Sequence, residues 1–278
     1  MVQWSDHQVE SGMAMKKSAS RPARIGFLDS GVGGLTVLQE ALKLMPDEDY
    51  LFYADTGHVP YGEKTKEEVR GYVLEAADYI AGQGVKALVV ACNTATSIAV
   101  DELRRRYDFP VLGIEPAVKP AVLREEGSRR KVLVLATALT LREEKYHRLV
   151  ETVDPGERVD SLALPGLVRL AENFEFGEER VTAYLREAFE GVNCEAYGTV
   201  VLGCTHFPYF QQVLQRWFGP GVALISGGPG TARNLRRILE SAGRRHEGTG
   251  RIDFCASGRD AEGSRNFGDW LDRLNRIR

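Results

Sequence analysis

The chain has 278 residues, 43% hydrophobic and 27% charged, with a formal net charge of −3. That length suits one large domain or two modest ones, at roughly 100 to 200 residues each, and the composition excludes disordered and fibrous classes. The slight acidity argues against nucleic acid as a partner, since phosphate-backbone binding draws on clustered Lys and Arg; the runs at 104–106 and 244–245 read as solvated helix ends.

Residues 1–22 contain no apolar run flanked by a cleavage pattern, so they are expected to form a disordered polar extension of a soluble, cytoplasmic protein, with Met13 and Met15 as alternative starts. No later window approaches a membrane span. Ile25 to Leu28 is predicted as a short buried strand, followed by the turn Asp29-Ser30-Gly31-Val32-Gly33-Gly34 and an amphipathic helix from Leu35 to Leu44. The glycine spacing fits neither a dinucleotide fingerprint nor a P-loop, but it offers backbone N–H groups to a small anion. A strand from Tyr50 to Tyr53, the loop 55–62, a helix from Lys66 to Gln83 and a strand from Ala87 to Ala91 come next. This alternation predicts parallel strands with helical crossovers, whose ligands gather at the carboxyl ends of the strands. Asp29, the 55–62 loop and Cys92 all fall there.

The pattern then restarts. Lys131 to Leu135 is predicted as a strand, Ala136 to Thr140 as a polar turn, Arg142 to Val150 as a helix, and Thr199 to Leu202 as the strand that delivers Cys204. Asp29 and Cys92 are spaced much as Thr137 and Cys204 are, which indicates an internal repeat of two α/β units facing each other. After Ser226 come a helix with a glycine-proline start, a strand from Ile252 to Cys255 and an amphipathic helix ending near Arg276. This returning segment is expected to complete the first half, giving domains of 23–116 plus 227–278 and of 117–226.

The four cysteines, Cys92, Cys194, Cys204 and Cys255, show no C-x-x-C spacing, so neither a zinc ribbon nor a dense disulfide framework is supported and free thiols are expected. Cys92 and Cys204 each close an apolar run and open a polar one. A helix N-terminus or a histidine lowers a thiol pKa, so thiolate at neutral pH is expected of both. One such cysteine is more often a buried structural residue; two in repeated contexts favour a reactive pair. Asn93-Thr94 and Thr205-His206 place amide, hydroxyl and imidazole groups beside the thiols, suited to the carboxylate and ammonium of an amino acid, although each pair also suits an ordinary cap. His206 can tune Cys204 or be a surface loop residue. Asp29 can serve Cys92 in the same way or merely bond its own turn, and Pro60-Tyr61-Gly62 can close over a ligand or be plain loop chemistry. No lysine motif for pyridoxal phosphate is present.

Four segments taken together, Phe27 to Thr36, Asp55 to Gly62, Ala91 to Ala95 and Leu202 to Pro208, resemble the aspartate/glutamate racemase family in its cofactor-independent, glutamate-specific branch, over about Ile25 to Leu239. The resemblance implies two pseudo-symmetric flavodoxin-like α/β domains with mostly parallel sheets and an active site in the cleft between them. It implies that Cys92 and Cys204 are the acid/base pair, with Cys92 acting on the D-isomer and Cys204 on the L-isomer, assisted by Asp29 and His206. Asp29-Ser30, Tyr61-Gly62, Asn93-Thr94 and Thr205-His206 would line the substrate site, and Thr137 and Thr140 would bind the side-chain carboxylate. No cofactor and no metal are implied; the partner is glutamate, and the role is supply of D-glutamate for peptidoglycan. The oligomeric state stays open, a homodimer included.

Some positions depart from the family pattern. Ala136 replaces the glycine of a Gly-Thr-x-x-Thr turn, Glu143 stands where a small hydroxyl residue is common, Leu164-Pro165 replaces Cys-Pro, and Ile225-Ser226-Gly227 replaces Ile-Asp-Ser. These changes bear on selectivity and keep a racemase for aspartate or another small amino acid in view, beside a two-lobed binding protein with inert cysteines. Glu172 matches a family acidic residue near the pocket, and a solvated helix face accounts for it equally well.

Overall fold

A computed structural model describes residues 24–154, 156–245, 248–258 and 266–277; the extension expected over 1–22 lies outside the described residues. The chain opens with β1 (Arg24–Asp29), α1 (Leu35–Leu44), β2 (Tyr50–Ala54), α2 (Lys66–Gly82), β3 (Val85–Val90), α3 (Asn93–Arg106), β4 (Val111–Gly113) and α4 (Val118–Arg124). It continues with β5 (Lys131–Ala136), α5 (Ala138–Arg142), α6 (Glu144–Val153), β6 (Val159–Ala163), α7 (Pro165–Glu172), α8 (Glu178–Ala188), β7 (Tyr197–Leu202), α9 (Gln211–Phe218) and β8 (Ala223–Ser226). It ends with α10 (Gly228–Ser241), β9 (Ile252–Ala256) and α11 (Phe267–Arg276). No helix among the described residues is long and apolar enough to cross a membrane.

Two parallel sheets result, ordered β4-β3-β1-β2-β9 and β6-β5-β7-β8. Read in reverse, the second order repeats the first four strands of the first, with β5 in the place of β1 and β7 in that of β3. The repeat extends to an irregularity. Between β1 and β3 the register skips a residue after Arg24↔Val85, and between β5 and β7 it skips one after Lys131↔Tyr197. That register pairs Cys92 with Cys204 but matches Thr137 with Ser30 rather than with Asp29, whose counterpart is Ala136. The first half therefore carries a carboxylate where the second carries a methyl group.

Strands buried on both faces explain why the apolar runs were legible, because a parallel sheet covered by helices needs side chains of one kind on either face. Phe27 and Phe52 meet α1, α10 and α11, whereas Leu28, Leu51 and Val90 meet α2 and α3. In the second sheet Leu133 and Val200 face α7, α8 and α9, and Val132, Val134 and Val201 face α4 and α6. The first of these cores runs without interruption from one half into the other. Thr65 starts α2 with a capping box, its hydroxyl accepting from the Glu68 N–H while the Glu68 carboxylate accepts from the Thr65 N–H.

Two local expectations change. The stretch from Ala136 to Thr140 is not a plain turn: Thr137 caps α5 by accepting from the Thr140 N–H, and extended backbone at Glu143 separates α5 from α6. Arg244 and Arg245 are not simply solvated, since Arg244 donates to the Lys86 carbonyl and Arg245 reaches the buried Glu48.

Candidate active site

Both thiols and most of the predicted polar groups converge on one small cavity of about 20 Å³ where the two halves meet. The first half contributes Ser30, the turn Pro60-Tyr61-Gly62, Cys92, Asn93 and Thr94. Thr137, Val168, Cys204, Thr205 and His206 come from the second. Asp29 and Thr140 stand one layer behind the wall. Gly62 has to be small, because a Cβ there would lie 2.7 Å from Thr137 Cβ across the gap. Gly33 is constrained in the same way, with a Cβ placed 2.6 Å from His206 Nδ1.

The two thiols sit in unequal surroundings. Cys92 is the N-cap of α3, and its sulfur accepts from the Ala95 N–H at 3.5 Å and lies 3.8 Å from Ser30 Oγ. Burial, reinforced by the Asp29 carboxylate, pushes the Cys92 thiol up to about 12, and the Ala95 N–H opposes this only in part. The helix start does not make Cys92 a thiolate in this closed geometry, contrary to the sequence-based expectation. Cys204 is not at a helix start at all. A single 3-10 turn over Phe207–Phe210 intervenes before α9, and its neighbour is instead His206, whose Nδ1 lies 3.6 Å from the sulfur.

His206 is buried, and its Nε2 lies 2.6 Å from Glu172 Oε1. Burial alone would keep the imidazole neutral, but the contacts with Cys204 and Glu172 outweigh it and hold its pKa well above the ordinary histidine value. The resulting cation lies beside the Cys204 sulfur. Glu172 is thus neither solvated nor peripheral; it also accepts from the Val32 N–H at 2.8 Å, which ties the first half's glycine turn to α7. Asp29, fully buried, accepts from the Gly31 N–H at 3.0 Å and from the Thr205 hydroxyl at 3.3 Å. Burial raises its carboxyl from 3.8 to about 6, with the His206 charge pulling the other way.

Polar groups that could orient a ligand are also in place. Thr94 Oγ1 lies 3.0 Å from both Thr137 Oγ1 and Thr140 Oγ1, and these two are 2.9 Å apart, so three buried hydroxyls form a closed triangle. Asn93 Oδ1 is buried with no hydrogen-bond partner among the described residues, and an unpaired buried acceptor costs about 1 to 3 kcal/mol. Sequence reasoning missed Val168 and Thr36, whose hydroxyl holds the Thr205 carbonyl at 3.1 Å. Nothing local to either residue signals a contact made across the two halves.

A family model for Asp/Glu/Hydantoin racemase matches residues 35–235. The chain is 54% identical to glutamate racemase 2 of Bacillus subtilis over 235 residues, which are 84% of this chain and 89% of that protein. It is 51% identical to the glutamate racemase of Halothermothrix orenii over 256 residues, 91% of this chain and 100% of the relative. Among solved structures, glutamate racemase from Thermus thermophilus in complex with β-chloro-D-alanine superposes with a TM-score of 0.74 at 36% identity, covering 91% of this chain and 93% of that one.

Proposed function

Since the chain belongs to the Asp/Glu/Hydantoin racemase family, we propose that it interconverts L- and D-glutamate with Cys92 and Cys204 as two bases on opposite faces of the α-carbon. It is an amino-acid racemase, an isomerase. What carries the two-base reading is the convergence of both thiols on one cavity from equivalent strand ends. Inversion removes a proton from one face and returns one to the other, so two separate groups are needed.

The unequal surroundings support a division of the resting roles. Cys204, beside a cationic His206, is the base that takes the α-proton of L-glutamate; Cys92, kept protonated by burial and Asp29, delivers a proton to the opposite face and yields D-glutamate. The reverse reaction exchanges these roles, and Asp29 is the acceptor beside Cys92. Asn93 Oδ1 accepts from the substrate ammonium, and the Thr94, Thr137 and Thr140 hydroxyls turn their protons toward the side-chain carboxylate. Fixed donors in a water-poor cavity stabilise the carbanion without an added cofactor.

A cavity of about 20 Å³ holds roughly one water molecule, so an amino acid enters only when the halves part. The moving units are the two halves built on the two sheets. They separate along the Lys66–Glu143 and Arg169–Glu63 ion pairs, 2.6 and 2.5 Å long, which cross between the halves near the Tyr61 turn. In the cell the product serves peptidoglycan synthesis in the cytoplasm.

Purified protein given L-glutamate in heavy water, with no cofactor, is expected to produce D-glutamate carrying one α-deuterium per inversion. Folded protein that yields neither exchange nor racemisation would remove the proposal. The pH profile supplies a second check. Below about pH 6 Asp29 takes up a proton, so kcat/KM should fall there in both directions, and Asp29→Asn should lack that limb. For stability the sign is opposite to that of an ordinary ion-paired carboxylate. The raised value favours the folded state below 3.8, and this contribution is lost as pH rises to about 6.

A further inference from the structure

A third buried carboxylate lies behind the cavity wall and takes no part in the chemistry above. Asp55 follows β2, is 2% exposed, and donates its backbone N–H to the Asp29 carbonyl at 2.9 Å. Its Oδ2 accepts the Tyr61 hydroxyl at 2.5 Å and its Oδ1 accepts the Ser257 hydroxyl at 2.5 Å. His58 Nδ1 sits 2.9 and 3.0 Å from the two oxygens. Three side chains therefore converge on one carboxylate, and one of them lies 202 residues further along the chain.

Ser257 follows β9 and lies beyond the family-matched residues 35–235. It is stitched into the loop at four points. Its N–H donates to the Ala54 carbonyl at 3.0 Å, its carbonyl accepts the Thr56 hydroxyl at 2.9 Å, its Oγ accepts the Gly57 N–H at 2.9 Å, and its hydroxyl proton goes to Asp55. On the other side, the His58 ring stacks on Tyr72 of α2 at 3.7 Å, and Tyr72 in turn stacks against Tyr61 at 6.2 Å. The loop is thereby held from the sheet edge and from α2 at once.

The beneficiary is Tyr61. Its ring is 1% exposed and forms part of the cavity wall near Cys92, and its single polar atom is engaged by Asp55. Burial, then the Asp55 carboxylate, keep the phenol well above its ordinary pKa, so it remains a donor. We propose that Asp55 is a positioning residue for racemisation: by accepting hydrogen bonds from Tyr61 and Ser257 it fixes the Tyr61 ring as a rigid wall that holds the substrate against Cys92, and it thereby makes the segment after the last strand part of the active site. This rests on the racemase reading, so the wild-type protein is measured alongside the variants.

A double-mutant cycle tests the proposal, because residues that act through one another are non-additive. Losing one charge-assisted hydrogen bond corresponds to about a tenfold effect. Tyr61→Phe and Asp55→Ala should each lower kcat/KM for L-glutamate about tenfold, mainly by raising KM, and the double variant should be no worse than the poorer single. Asp55→Asn keeps an acceptor for Tyr61 and should recover most of the loss, while Ser257→Ala should raise KM in the same sense. Multiplicative losses, about a hundredfold in the double variant, would overturn the proposal. So would wild-type kcat/KM in both Tyr61→Phe and Ser257→Ala, which also decides the matter if Asp55→Ala fails to fold. Inactive wild-type protein would instead overturn the racemase reading, whereas active wild-type with additive losses would remove only the positioning role.

Discussion

Cys204→Ser is expected to cut racemisation about a thousandfold or more, and Cys92→Ser by a comparable factor, since a positioned acid or base contributes roughly 10² to 10⁴ and a serine hydroxyl is too weak an acid to give the deprotonated base or to return a proton as a thiol does. Neither thiol can stand in for the other. Cys92 is fixed at the start of α3, and Cys204 is fixed by the turn that also carries His206. Loss of fold is not an alternative explanation for Cys92→Ser, because serine is a preferred N-cap and replaces a weak sulfur acceptor. The sharper readout is exchange without inversion. With Cys204 replaced, Cys92 can still remove and return the α-proton of D-glutamate on one face, so deuterium should enter D-glutamate with retention of configuration. With Cys92 replaced, the same should hold for L-glutamate. Full racemisation by either single variant would sink the two-thiol scheme.

The thiol pair was legible in the sequence because each cysteine ends an apolar run, and β3 and β7 are the strands that neighbour the first strand of each half. The strand β6 was not, since its Val-Asp-Ser-Leu-Ala sequence lies on a half-exposed edge and lacks the continuous apolar character of β3. The split of the 138–153 region into α5 and α6 follows from extended backbone at Glu143, a position whose side chain pairs with Lys66 from the other half. Its reason is tertiary.

The electrostatic setting was legible only in part. A cysteine at a helix start favours thiolate, but that local effect is overridden where burial is complete and a carboxylate stands near, as at Cys92. Asp29 was visible as a strand-end residue; its burial, and the absence of a counterpart at Ala136, were not. Glu172 belongs to the same class. Whether a helical glutamate faces water or a histidine depends on what covers the helix, and here Val32 bonds its carboxylate while Trp270 of α11 donates to the neighbouring Ala171 carbonyl.

His206→Asn is expected to lower kcat/KM about a hundredfold, at the lower end of what positioned acid/base groups contribute. Asparagine can still donate toward Glu172, but it carries no cation beside the Cys204 sulfur. The two enantiomers have equal free energy, so the equilibrium constant is unity and kcat/KM must fall equally in both directions. A defect confined to one base therefore cannot appear as a one-sided loss of kcat/KM. It appears in which proton transfer limits the rate. If His206 serves Cys204, the step that deprotonates L-glutamate becomes limiting: the isotope effect on kcat/KM with α-deuterated L-glutamate should rise, and that with α-deuterated D-glutamate should fall or stay level. Asp29→Asn should show the reverse, because its carboxylate acts on Cys92. Equal isotope effects for both enantiomers in both variants would mean that the two residues do not serve separate thiols, and the assignment of Cys204 as the base for L-glutamate would lose its support.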